Sequence, residues 1–380
     1  MIRKLIPVIL ILFISQLALI YALMFTQQSG SLCRWDGEWY AHIVDHGYVS
    51  DYPPKVQIKD KGNVAFFPVY PLIADGVKYF THLPTDWALV VTSQLFALGV
   101  LFYFLLVLIE MGITDPIPQI ERLWFALVYP YAFFYFVSYS ESVFVFFMLG
   151  FIYWFERWLK KPTALAYLLA LAHGILLTGT RMVGIFVLAY PVIRAFLQFR
   201  FRFPTWKAGF LSIFSLLGVA SFIYYCQEHF GHWDLYFTTV KIGWDEYTDV
   251  RLLFPPKDLY LIDWSHVLKS DNIGRLFTMT TIFLQIGLLI KQIRTKSADG
   301  MRLSFILLSM IILWGTMYGR SSYHFAGMGR YLLPALILLI PILDLPRGKW
   351  VKFLTVVAAL IAIGFQVFFV LMFSRRGWVA

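Results

Sequence analysis

Apolar residues in this chain come in long unbroken runs, separated by short polar stretches. A helix needs about 20 apolar residues to cross the hydrocarbon of a bilayer. On that basis spans are predicted near residues 5–26, 87–109, 121–137, 140–156, 163–178, 182–198, 208–226, 276–291, 303–318, 331–344 and 352–373. About eleven such spans make an all-α polytopic membrane protein. Several are short enough for neighbours to merge or to re-enter from one face. The first run follows Arg3 and Lys4, is long for a signal-peptide core and is followed by no small-residue cleavage motif, so it reads as a retained helix. No 20–50-residue repeat, Gly/Ser linker or low-complexity tract divides the chain, so residues 1–380 are expected to form one transmembrane domain.

With the N-terminus inside and each span crossing once, the inner segments are nearly all short. They contain "ERWLKKP", "RAFLQFRFRF", "KQIRTK" and "PRGKW". The outer segments include two long loops, 27–86 and 227–275, where Lys and Arg are sparser. Positive charge resists translocation, so this orientation is favoured. Only the terminal "SRRGWVA" runs against it.

The first outer loop carries its own pattern. "RWDGEWYAHIVDHGY" predicts a helix over Asp36–Asp45 that stops at Gly47, with Trp35, Trp39 and Tyr40 of the types that settle at headgroup level. "VAFFPVYPLIADGVKYF" spaces Phe66, Tyr70, Ile73, Val77 and Phe80 as a helix lying on or dipping into the interface. Pro68 and Pro71 suit its first turn. The polar stretch 49–63 between them is predicted to be a loop.

Composition removes the soluble alternatives. The chain is 59% hydrophobic, 19% aromatic and 14% charged, too little polar surface to coat a soluble particle of 380 residues. The net charge of +10 would suggest nucleic acid in a soluble protein, but here it belongs to the inner loops, and no basic run interleaved with aromatics stands free of the bilayer. Two cysteines, Cys33 and Cys226, exclude a disulfide scaffold and a Cys-based zinc site, and leave one bridge open.

Against that background the ionisable residues near membrane depth stand out, because they are costly there. Asp36 opens a surface helix next to hydrocarbon. It suits a helix cap, and equally a general base or acid held where a lipid-borne substrate would arrive. Glu38, His42 and Asp45 are its candidate neighbours. "YPYAFFYFVSYSESVFVFF" places Glu141 in a predicted outer turn with Ser138, Tyr139, Ser140 and Ser142. "LLTGTRMVGIF" places Arg181 in a second, and "GRSSYHFAGMGRYLLPAL" places Arg320, His324 and Arg330 in a third. All three turns and the Asp36 helix fall on one face. Arginine holds phosphate oxygens in a bidentate fork at any relevant pH, so such a pocket suits a lipid phosphate. The plainer reading is a Glu141–Arg181 pair that only locks helices. His173, inside a span, is expected to hydrogen-bond a neighbouring helix. No Walker loop, HExxH, GxSxG or DxD motif occurs, and no soluble part is large enough to bind a nucleotide.

Four blocks in order, "RWDGEWYAHIVDHGY", "AFFPVYPLI", "YPYAFFYFVSYSESVFVFFMLGFIYWFER" and "TRMVGIF", resemble the PIG-V family: the second mannosyltransferase of GPI-anchor synthesis and its bacterial relatives, within the GT-C membrane glycosyltransferases. The resemblance covers about 34–190 and continues more weakly through "GRYLLPAL". It implies an inverting transfer of a sugar, typically mannose, from a polyprenyl-phosphate carrier to an acceptor hydroxyl on the non-cytoplasmic face. It implies that Asp36 is the catalytic base and that Glu141, the YSES turn and Arg181 line the pocket. Eukaryotic members usually show an Asn soon after the arginine matched by Arg181. Here Met182-Val183-Gly184 follows, which leaves the acceptor open. The lack of an N-x-S/T sequon and the modest outer loops fit a prokaryotic plasma membrane.

The expectation is therefore a membrane glycosyltransferase with Asp36 as base. Arg34, Glu38, His42, Tyr139, Glu141, Arg181, Arg320, His324 and Arg330 are its expected substrate-binding residues. Its partners are a polyprenyl-phosphate sugar donor, a lipid or glycan acceptor and membrane lipids, with no nucleic acid. No cofactor is required, and there is room for a divalent ion near Asp36. The alternatives are a transporter or flippase of a lipid-linked glycan without catalysis, and a structural membrane subunit.

Overall fold

A computed structural model describes residues 2–27, 31–54, 62–244, 269–295, 299–318, 327–343, 348–377 and 379. Among them the regular elements are all helices, save one isolated bridge between Ser50 and Gly62. The helices are α1 (Ile2–Phe25), α2 (Asp36–His46), α3 (Val69–Thr81), α4 (Thr85–Glu110), α5 (Pro116–Val128), α6 (Glu141–Lys160), α7 (Ala164–Thr178), α8 (Gly184–Val187), α9 (Ala189–Phe199), α10 (Phe203–Ser215), α11 (Leu217–Phe230), α12 (Leu235–Trp244), α13 (Ser270–Arg294), α14 (Gly300–Tyr318), α15 (Met328–Tyr331), α16 (Leu333–Leu339) and α17 (Lys349–Ser374). Seven segments are long and apolar enough to cross a membrane: Leu5–Phe25, Thr85–Glu110, Glu141–Lys160, Phe203–Phe230, Ser270–Arg294, Gly300–Met317 and Lys349–Ser374. Ala164–Thr178, Gly184–Phe199 and Met328–Ile342 are shorter apolar helices. This is an integral membrane protein.

The predicted span 121–137 is not one helix. α5 ends at Val128, and the chain then runs irregularly to Ser140 apart from a 3-10 turn over Ala132–Tyr135. Every residue from 130 to 145 is buried. Irregular backbone at membrane depth survives only where protein satisfies its polar groups. Here α4 does so. Ser93 Oγ donates to the Tyr139 carbonyl at 2.9 Å and Gln94 Nε2 to that of Phe136 at 3.2 Å, while the Ser138 amide donates to Leu32 O at 3.1 Å. Two polar residues in the middle of an apolar helix thus stand in for a missing turn.

The two interfacial helices form as predicted. α2 ends just before Gly47, whose amide bonds Ile43 O at 2.8 Å. α3 starts after Pro68 and buries Tyr70 and Ala74, but it exposes Leu72, Tyr79 and Phe80, the kind of face an interfacial helix offers to lipid. Phe80 therefore leaves the predicted stripe.

α4 and α6 run side by side in the same direction. At one end Thr85 Oγ1 bonds Asp45 of α2, and at the other Lys160 Nζ bonds the Glu110 carboxylate, both at 2.5 Å. The 20 residues of α6 separate Glu141 from Lys160 by about 30 Å. Between these ends His173 does what an isolated intramembrane histidine was expected to do: Nε2 pairs with Tyr103 Oη across the helices at 2.8 Å. Cys33 and Cys226 are both buried free thiols, so the bridge left open by the sequence is absent.

Candidate active site

The Glu141 end of the bundle gathers the charges. Asp36 is the first residue of α2, and its side chain makes no capping bond; the cap position is Trp35, held at a positive φ of 53°. Instead Arg330 Nη1 donates to Asp36 Oδ2 at 2.6 Å. The helix-cap reading of Asp36 is thereby replaced by an ion pair that joins residues 294 positions apart. Glu141 opens α6, continuous with the buried irregular segment, and so lies at a helix start and not in the tight outer-face turn that was predicted. Arg181 Nη1 donates to its Oε1 at 2.6 Å and to Ser140 Oγ at 3.2 Å. Arg330 Nε stands 3.9 Å from the same Glu141 oxygen.

Aromatic rings surround the two arginines. The Arg330 guanidinium carbon lies 4.9 Å from the Tyr331 ring centre, 5.1 Å from that of Tyr139 and 5.8 Å from that of Phe134. Arg181 lies 5.1 Å from the Tyr331 ring. A cation is attracted to the face of such a ring without spending a hydrogen bond. Hydroxyl groups complete the wall: Tyr331 Oη accepts from Arg330 Nη2 at 3.1 Å, Tyr139 Oη accepts from the Asp36 amide at 3.4 Å, and Tyr40 Oη donates to Ser140 Oγ at 3.0 Å.

Two glycines allow the elements to approach this closely. A Cβ on Gly37 would sit 1.9 Å from Ser138 Oγ, so α2 can lie against the irregular segment only with glycine there. A Cβ on Gly329 would sit 2.2 Å from Tyr131 Cζ, inside a fully buried ring. These contacts carry Asp36 and Arg330 to each other.

Of the residues singled out in the sequence, Asp36, Tyr139, Glu141, Arg181 and Arg330 meet. Glu38 points to the chain's other end, where Arg376 Nη2 donates to its Oε1 at 3.0 Å. That pair, with a bond from Trp35 Nε1 to Gly377 O at 3.3 Å, anchors the basic tail that ran against the charge pattern. His42 Nδ1 lies 3.1 Å from Asn63 Nδ2, in the link between α2 and the following loop. Asp45 pairs with Lys78 at 2.7 Å. The Arg34 carbonyl accepts from the Gly37 amide in the turn that opens α2. Arg320 and His324 lie outside the described residues. Ser140 belongs to the YSES turn expected to line the pocket, whereas Tyr40 and Tyr331 were missed as wall residues. Each is a neutral hydroxyl inside a quoted block, and only the position of a charged neighbour could have flagged it.

No group of three or more His, Cys, Asp and Glu is placed to hold a metal ion among the described residues. Both carboxylates of the cluster already face guanidinium groups. A divalent ion bound near Asp36 would share that carboxylate with Arg330.

No protein-family model and no curated protein sequence matches this chain. Among solved structures the fold is similar to the Archaeoglobus fulgidus oligosaccharyltransferase in the apo form, with a TM-score of 0.52 and 9% identity over 98% of this chain and 56% of that one. It is similar also to the archaeal oligosaccharyltransferase AglB from the same organism in complex with an inhibitory peptide and a dolichol-phosphate, with a TM-score of 0.50 and 12% identity over 96% of this chain and 56% of that one. The chain thus spans about half the length of these structures. At such identity the likeness concerns the fold, and the fold is of the GT-C type.

Proposed function

We propose that this chain is an inverting membrane glycosyltransferase. It moves a sugar, mannose by its PIG-V resemblance, from a polyprenyl-phosphate carrier to an acceptor hydroxyl on the non-cytoplasmic face of a prokaryotic plasma membrane. The observation that carries the reading is the meeting of Asp36 and Glu141 with Arg181 and Arg330 at one end of the bundle. A helix lock needs one pair. Two carboxylates and two guanidinium groups from four separate parts of the chain, walled by tyrosines, suit a phosphate and a proton acceptor side by side. The neighbouring fold with a dolichol-phosphate in its complex supports a lipid-linked donor of this class.

In this mechanism the acceptor hydroxyl attacks the anomeric carbon from the face opposite the phosphate. Its proton passes to the Asp36 carboxylate. The bond from the anomeric carbon to the phosphate oxygen breaks, its electron pair stays on that oxygen, and polyprenyl monophosphate leaves. Arg181 and Arg330 stabilise the negative charge that grows there, in surroundings where fixed cations act strongly. Glu141 holds Arg181 in place. Tyr139 and Tyr331 hold the arginine cations against their ring faces. Substrates enter along the lipid, in keeping with a donor whose chain is a hydrocarbon.

The test is a panel of polyprenyl-phosphate sugars offered to the purified protein with lipid and glycan acceptors. Carrier-dependent sugar transfer, strongest with the mannose donor, is expected. A protein that binds these lipids but transfers nothing from any of them would be a carrier, and the enzyme reading would fall.

A further inference from the structure

Arg330 already covers the carboxylate that the mechanism needs as its base. Nη1 is given to Asp36, Nη2 to Tyr331 Oη, and the buried Nε makes no hydrogen bond, being 3.9 Å from Glu141 Oε1. Arg181 is engaged as well, its Nη1 serving Glu141 and Ser140. The formal charge of the four-residue cluster is zero. A phosphodiester adds one negative charge, and the leaving phosphate adds another.

The rings that surround Arg330 matter here. Phe134, Tyr139 and Tyr331 attract the cation whichever way its N–H groups point. The guanidinium can therefore re-aim within its cage while the cage keeps it in place.

We infer that Asp36 and the donor phosphate compete for Arg330, so that arrival of the phosphate uncovers the Asp36 oxygen that takes the acceptor proton. This rests on the glycosyltransferase reading of the site and adds an order to it: donor first, acceptor second. The charges balance through the step. As Asp36 gains the proton it loses its negative charge, and the phosphate gains one as the glycosidic bond breaks. Arg330 follows the charge. When Asp36, whose side chain is 20% exposed, later gives the proton to water, it draws Arg330 back and weakens the hold on polyprenyl monophosphate, which favours product release. A catalytically dead site then has an unusual property: without the Asp36 charge it should bind the carrier phosphate more tightly.

Binding of undecaprenyl phosphate to the full-length protein in phosphatidylcholine nanodiscs, followed by native mass spectrometry, tests this without any turnover. Asp36→Asn is expected to bind about tenfold more tightly than the wild type, the loss of one competing charge-assisted hydrogen bond. Arg330→Gln is expected to bind about tenfold more weakly. In Asp36→Asn/Arg330→Gln the gain should vanish, and this pair leaves no buried charge unmatched by its loss. Should Asp36→Asn not fold, Asp36→Ser serves the same comparison, since it keeps an acceptor for Arg330 without the charge. Wild type that binds the lipid, beside Asp36 variants that bind it no more tightly, overturns the competition and leaves the glycosyltransferase reading standing. A wild type and variants that all fail to bind undecaprenyl phosphate overturn the reading of the site itself.

Discussion

At the scale of single residues, the site is a set of charges that cost more to separate than to keep. The Glu141 side chain is 4% exposed and accepts from Arg181 at 2.6 Å. Removing one partner of a buried pair leaves the other uncompensated. Glu141→Gln is expected to lower stability by roughly 3 kcal/mol, read as a fall in the thermal unfolding midpoint in detergent. Asp45, on the same helix as Asp36, behaves differently because water screens it. Partial burial pushes its carboxyl upward, but hydrogen bonds from Lys78 and Thr85 and the Lys78 charge outweigh this and hold it below its ordinary value. A carboxylate depressed in the folded state stabilises above its unfolded pKa, and that contribution is lost as pH falls through the folded value. The difference in midpoint between wild type and Asp45→Asn should be small at pH 7, as for any exposed pair, and should disappear as pH falls below about 4. A difference that grows on acidification would contradict the pairing. Residue types were readable in the sequence, since a carboxylate or guanidinium in an apolar chain announces itself. Partners were not: Asp36 could be placed on a face, but nothing local to it says that Arg330 is the group it meets.

At the scale of elements, two close approaches decide whether those charges meet. Gly37 lets α2 lie on the irregular segment, and Gly329 lets α15 lie on Tyr131. Displacing a reacting group by about 1 Å can cost a hundredfold in rate. Gly37→Ala and Gly329→Ala are therefore each expected to lower sugar transfer by about that factor, whereas Gly364→Ala in α17, where a Cβ meets nothing within 4 Å, should transfer like the wild type. Equal activity in all three variants would show that the approach does not set the geometry. The helices α2, α3, α4, α6 and α17 were legible from apolar run length, proline and glycine positions. The stretch 129–140 was not, because a wholly apolar run reads alike whether it is a helix or a packed irregular segment. The clue lay elsewhere, in Ser93 and Gln94 of α4, and it becomes meaningful only when their carbonyl partners are known.

At the scale of the whole molecule, the charges sort to two ends. Asp36, Glu141, Arg181 and Arg330 occupy one, and Arg157 and Lys160, paired with Glu110, occupy the other about 30 Å away along α6. The pattern of basic loops predicts that the Lys160 end faces the cytoplasm. A membrane-impermeant maleimide applied to intact cells should label Asp75→Cys on α3 and should label Lys161→Cys only after the membrane is opened. The reverse pattern would put the site on the cytoplasmic side. This sidedness is an expectation from charge alone, and the basic tail that runs against it is tied to Glu38 and Trp35 at the Asp36 end.

The central claim is that Asp36 takes the acceptor proton during glycosyl transfer from a polyprenyl phosphate. Its most direct test is the single-turnover rate of sugar transfer with saturating donor, compared between wild type and Asp36→Asn of equal thermal stability. Loss of a general base predicts a rate lower by a factor of about a hundred to ten thousand with donor binding retained. Transfer by Asp36→Asn at the wild-type rate would contradict it.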